Sequence, residues 1–274
     1  TAQLWNSRVT LTEIFFQLAL FTALVIFDLG MKQRNKPLLI LSGAVLGITV
    51  FIRIDCMLIL LGAALYALYL FAVKSDLFRP YLRVFSAFVV VAALGLLFSY
   101  FTSRFYVADL WAYGLKDIVV VGIVLSVLVA CSFVADGRYP DLRRKLSLPC
   151  LAEKIWKSLS FVVVGILMLL FVYFYFLRGV LYENGSLPNV GSLFQAESLK
   201  ELTWYVPVWL IVLAILSTGL IIQHKDRDTH FLFLLIAYSY IALYIYNPSI
   251  YPDHFWASRR WISVTFEAKL VRNS

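Results

Sequence analysis

From Pro37 to Val73 the chain runs for 37 residues with only two charges, Arg53 and Asp55. As one helix that run would rise about 55 Å, against a bilayer core of about 30 Å. A single span is therefore excluded. A charge held at mid-bilayer costs at least about 2.5 kcal/mol on insertion scales. The cheaper solution is two helices, near 37–52 and 56–73, with Arg53 and Asp55 at the turn between them. That one interruption sets the topology of everything around it.

Apolar runs of similar length recur along the chain, near residues 12–30, 84–101, 118–134, 158–177, 205–222 and 230–247. Composition agrees: 62% of residues are hydrophobic and 15% charged, where a soluble domain carries about a quarter charged. The expected fold class is all-α, a polytopic transmembrane helix bundle of about eight spans plus the start of a ninth at Ile262. Residues 1–266 read as a single transmembrane domain. Residues 267–274 read as a tail outside the native continuation.

Eight spans divide the connectors into two alternating sets. The connectors at 31–36, 74–83, 135–157 and 223–229 hold 14 of the 24 Lys and Arg. The segments at 1–11, 53–55, 102–117, 178–204 and 248–261 hold 8, though they are longer in total. By the positive-inside rule the first set is cytoplasmic. The N-terminus, Arg53 and Asp55, 178–204 and 248–261 then lie outside, and the expected location is a bacterial plasma membrane. The basic segment 135–157, with Trp156 among Leu and basic residues, suits an interface.

The net charge of +8 does not indicate nucleic acid. The basic residues are scattered between apolar runs and form no patch with interleaved stacking aromatics. The lipid bilayer is the expected partner. Cys56, Cys131 and Cys150 lack metal or CxxC spacing and fall at different depths, so they read as packing residues. Asn184-Gly185-Ser186 is a sequon on the expected outer side.

Charged and titratable residues at the outer ends of spans are the candidates for chemistry. Glu13 opens the first span, where an acid also suits the helix dipole. Arg53 and Asp55 flank one residue at a helix–helix turn, as a self-neutralising pair or as the wall of a site. The stretch Tyr246 to Trp261, YNPSIYPDHFWASRRW, carries Asp253, His254, Arg259 and Arg260. Two adjacent arginines on the outer side run against the positive-inside bias. They serve either as snorkelling anchors or as a fork for a phosphate. Asp253 is placed to pair with one of them, and His254 is a candidate base or a surface histidine. No GxSxG, Walker A, HExxH or GxGxxG pattern is present. No cofactor is evident, and a divalent metal is left open without support from this chain.

Three pieces in order resemble the GT-C superfamily of polytopic glycosyltransferases, of the protein mannosyltransferase and aminoarabinose-transferase kind. They are VTLTEIFFQLALFTALVIF, LLILSGAVLGITVFIRIDCMLILL and YPDHFWASRRWISV, about a fifth of the chain. The resemblance implies transfer of a sugar from a polyprenyl-phosphate donor to an acceptor, unidentified here, on the extracytoplasmic face. It implies Arg53, with Arg259 or Arg260, at the donor phosphate, and Glu13 and Asp55 lining or orienting the site. The family's acidic base lies in the first outer loop, which would precede Thr1. The chain therefore reads as a fragment lacking the N-terminal span and that loop, and inactivity of the isolated chain is expected. The competing classes are a transporter or lipid flippase, whose polar groups belong near mid-membrane on broken helices, and a non-catalytic membrane protein.

Overall fold

The computed structural model describes residues 2–73, 75–138, 153–186, 196–203, 206–224 and 227–246. All regular structure among them is helical. In order the helices are α1 (Ala2–Gln33), α2 (Lys36–Ile52), α3 (Leu58–Ala72), α4 (Phe78–Thr102), α5 (Arg104–Leu110), α6 (Lys116–Arg138), α7 (Glu153–Val172), α8 (Arg178–Glu183), α9 (Ser198–Leu202), α10 (Val208–Gln223) and α11 (Arg227–Tyr246).

The expected split of the 37-residue run is present. Asn35 caps α2 by accepting from the Leu38 amide, and Pro37 opens the helix, where its missing donor costs nothing. Helix α2 stops at Arg53, whose backbone turns extended at φ −151°, ψ 127°. One 3₁₀ turn, Ile54–Met57, leads into α3.

Four described segments are long and apolar enough to cross a membrane: Phe15–Gln33, Phe78–Thr102, Lys116–Arg138 and Trp156–Glu183. Their side chains are mostly exposed, as with Phe161 and Leu169. Water would not tolerate so much apolar surface, and lipid supplies its natural contact. The chain is a multi-pass helical membrane protein on this ground. Four further apolar helices, Lys36–Ile52, Leu58–Ala72, Val208–Gln223 and His230–Ala242, fall below that length. The expected count of about eight spans is therefore not supported: among the described residues four helices reach spanning length, and the shorter apolar helices rise too little to cross a bilayer core unaided. The start of a ninth at Ile262 lies outside the described residues.

Backbone packing divides the chain into two compact units, one of residues 1–151 and 226–239, the other of 152–225 and 240–274. In the first, α2 packs most extensively on α4 and next on α1. Small residues make this possible. A Cβ built on Gly43 would stand 2.1 Å from the Val84 carbonyl oxygen, and one on Gly47 2.5 Å from Val91 Cβ. Lipid tails are as apolar as leucine, so close backbone packing and interhelical hydrogen bonds carry helix association. Ser42 donates to the Ala23 carbonyl at 2.9 Å and Tyr81 to the Ala63 carbonyl at 2.9 Å. Phe27, Tyr66 and Tyr81 meet edge to face with centroids 4.6 to 6.1 Å apart, each such pair adding about 0.5–1.5 kcal/mol. In the second unit α7 packs on α10. Gly219 accepts Val164 closely, Ser160 donates to the Gly219 carbonyl at 2.9 Å, and Gln223 donates to Ser160.

The polar stretch 102–117, expected as a loop, is instead mostly helical. Ser103 breaks α4 from α5, and the π-helical turn Trp111–Leu115 joins α5 to α6. A second π turn, Tyr173–Leu177, sits between α7 and α8.

Candidate functional site

The apex of the α2–α3 hairpin is built from its own backbone. The Arg53 amide donates to Thr49 and the Cys56 amide to Arg53, at 2.9 and 3.1 Å. Ile54, Cys56 and Met57 are buried beneath it. Arg53 is half-buried at the surface of this apolar seat. Asp55 lies on the 3₁₀ turn and Glu13 on α1, but their side chains fall outside the described residues. Asp253, His254, Arg259 and Arg260 also lie outside them. Of the expected site residues, Arg53 is the one whose side chain is described.

The apex shares its end of the first unit with the α4–α6 connector. Phe51 packs on Phe98 and against Gly95, and Leu60 against Gly122, near the end of α4 and the start of α6. Lys116 and Asp117 are exposed there.

The opposite end of the same unit holds a polar cluster that sequence reading did not single out. Tyr69 donates to Asp228 Oδ1 at 2.7 Å and Ser75 to Oδ2 at 3.2 Å, while Tyr66 donates to the Asp228 carbonyl. Arg79 pairs with Asp136 at 2.8 Å, the carboxylate almost fully buried and the guanidinium largely exposed. Asp228 lies 159 residues from Tyr69 and Asp136 57 from Arg79. No local pattern reveals such pairs.

In the second unit, buried Arg178 donates Nη1 to the Ile245 carbonyl at 2.8 Å and stacks 5.0 Å from the Phe174 centroid. Ser198 donates to the same carbonyl at 2.7 Å. Carbonyls in the last turn of a helix lack intrahelical donors and carry partial negative charge. Arg178 and Ser198 supply both missing bonds and charge, one residue before the Tyr246–Trp261 stretch. Sequence reading counted Arg178 only among the outer-set charges. Just before α9, the Glu197 carboxylate accepts from Lys200 Nζ at 2.6 Å. That hydrogen bond, then the charge of Glu197, raises the Lys200 ammonium above its ordinary pKa.

These contacts group the connectors within each unit. In the first, 74–83 meets the end of α6 and the start of α11, away from Arg53. In the second, Ser160 meets 219–223, while Arg178 and Ser198 meet Ile245.

Among the described residues no group of three or more His, Cys, Asp and Glu could hold a metal ion. A half-buried guanidinium on an apolar seat can bind an anionic headgroup, and that is the chemistry the described apex offers. Comparison with protein-family models, with curated proteins and with solved structures gives no match.

Proposed function

We propose that this chain is part of a bacterial membrane glycosyltransferase that takes a sugar from a polyprenyl-phosphate donor on the extracytoplasmic face. The reading rests on the resemblance of its three sequence pieces to GT-C enzymes. The structural observation that supports it is the α2–α3 hairpin, which places Arg53 and Asp55 at the turn between two apolar helices. Within this reading the eight apolar helices all cross the membrane. The Arg53 end, 178–204 and 248–261 face outward, and the Asp228 and Asp136 end faces the cytoplasm.

The donor has an apolar tail in lipid and a phosphate at the interface. The resemblance assigns Arg53, with Arg259 or Arg260, to that phosphate, and Glu13, Asp55, Asp253 and His254 to substrate binding. The acceptor hydroxyl attacks the anomeric carbon as the sugar–phosphate bond breaks. Its proton passes to a carboxylate. The arginines stabilise the charge that develops on the leaving phosphate. No residue of this chain is assigned as that carboxylate.

The test is transfer of radiolabel from a polyprenyl-phosphate sugar in proteoliposomes. Loss of transfer in the Arg259→Ala, Arg260→Ala double variant, with insertion intact, supports the assignment. Normal transfer in that variant sinks it. Substrate counterflow without transfer would replace it with a transporter.

A further inference from the structure

We propose that the connector between α4 and α6 is a membrane-interface anchor, with Phe101, Phe105 and Trp111 seated at the boundary between lipid headgroups and acyl chains. It needs only that the chain spans a membrane, and stands apart from the sugar-transfer reading. Phe105 is 89% exposed and Phe101 75%, two of the barest large apolar side chains among the described residues. Trp111 is exposed beside them. They sit on a connector otherwise rich in polar groups, including exposed Thr102, Ser103, Arg104 and Lys116.

What covers them follows from continuity. On α4, exposed Leu94, Leu97 and Phe101 form a stripe at spacings of three and four, the register of one helix face. Phe105 extends it past the break at Ser103. On the far side, Val120 and Val124 resume an exposed apolar face on α6. Both flanking faces belong to helices long enough to span a membrane and face lipid. Along the connector, exposed Phe105 and Trp111 stand between these faces among its polar residues.

Depth follows from length. Helix α4 has 25 residues, about 37 Å at 1.5 Å per residue, against a core of about 30 Å. Its C-terminal turn therefore reaches the headgroup layer. There an aromatic ring is favoured, and a cation can hold its charged end in the polar zone. Arg104 does this, with its guanidinium 5.9 Å from the Tyr100 centroid.

The experiment places a nitroxide at Phe105→Cys in a Cys131→Ser, Cys150→Ser background, leaving the buried Cys56. The protein is reconstituted in phosphatidylcholine–phosphatidylglycerol liposomes. Val124→Cys serves as a lipid-core reference and Ser186→Cys, on an exposed turn, as a water reference. The anchor requires strong broadening by oxygen, weak broadening by a Ni(II) chelate, and a depth of about 5–10 Å below the headgroup level. Ni(II) accessibility equal to position 186 means a water-exposed loop and overturns the proposal. Low accessibility to both reagents means a protein partner or second copy covers the ring, and overturns it too. If the Phe105 variant fails to insert, the same readout at Trp111→Cys decides.

Discussion

Gly43→Ala is the sharpest perturbation of this fold. The added Cβ would stand 2.1 Å from the Val84 carbonyl oxygen and 2.9 Å from its carbon. Real Cβ atoms essentially never come under 3.0 Å, so α2 and α4 must move apart by about 0.9 Å. The obstacle is backbone, and no rotamer change removes it. A gap of 0.5–1 Å forfeits roughly a quarter to a half of the dispersion well at each contact it opens, and α2–α4 is the most extensive helix interface in its unit. Overpacking costs about 1–3 kcal/mol, and a backbone clash at the principal interface puts this case at about 3. Gly165→Ala is the control, because a Cβ there meets nothing within 4 Å. It should be neutral or stabilising by up to about 1 kcal/mol through helix propensity. Reversible unfolding in mixed micelles, followed by circular dichroism, measures both. Equal stability of the two variants would refute the argument that small residues hold α2 against α4.

Asp136→Asn should cost about 1.5–3 kcal/mol, the range for a hydrogen bond to a charged group, read by thermal unfolding. Arg79→Gln should cost at least as much, because it takes the counter-charge from a carboxylate that is almost fully buried. Arg178→Met should speed deuterium exchange at the C-terminal end of α11 and weaken the second unit by about 1–3 kcal/mol, with Arg178→Lys recovering part of it; unchanged exchange would remove the capping role. The Lys200 pKa is raised, so the Glu197–Lys200 contact contributes fully below the unfolded lysine value of 10.5 and is lost as pH rises through the higher folded value. Glu197→Gln should therefore lower the titration midpoint of Lys200 followed by NMR. Single cysteines at exposed positions 34 and 186 should be labelled from opposite sides of a sealed vesicle, and labelling from one side would break the eight-span topology.

Membrane character and the hairpin break were legible because both are local. Apolar runs mark spans directly, and Arg53-Ile54-Asp55 marks the break because charge in hydrocarbon is costly. The two π turns were not legible, because one extra residue in a helix leaves no periodic trace in an apolar run. Neither were the Asp228 and Asp136 clusters, which join residues far apart in sequence and read singly as loop and helix-end acids. Arg178 was counted for its sidedness alone, because its role depends on a helix end 67 residues away. Of the residues expected at the site, the structure describes the Arg53 side chain and the positions of Glu13 and Asp55 on their elements.

The shortness of α2 and α3 bears on the lipid itself. At 17 and 15 residues they rise about 25 and 22 Å, less than a bilayer core of about 30 Å. Such hydrophobic mismatch is met by local thinning of the bilayer, by snorkelling of flanking residues or by association with longer helices. Of these, thinning would draw headgroups and water toward the Arg53 apex in the proposed topology. In the proposed topology, where both helices cross the membrane, the hairpin would be a dent in the bilayer as much as a support within it, and a lipid phosphate would reach Arg53 without leaving the headgroup layer.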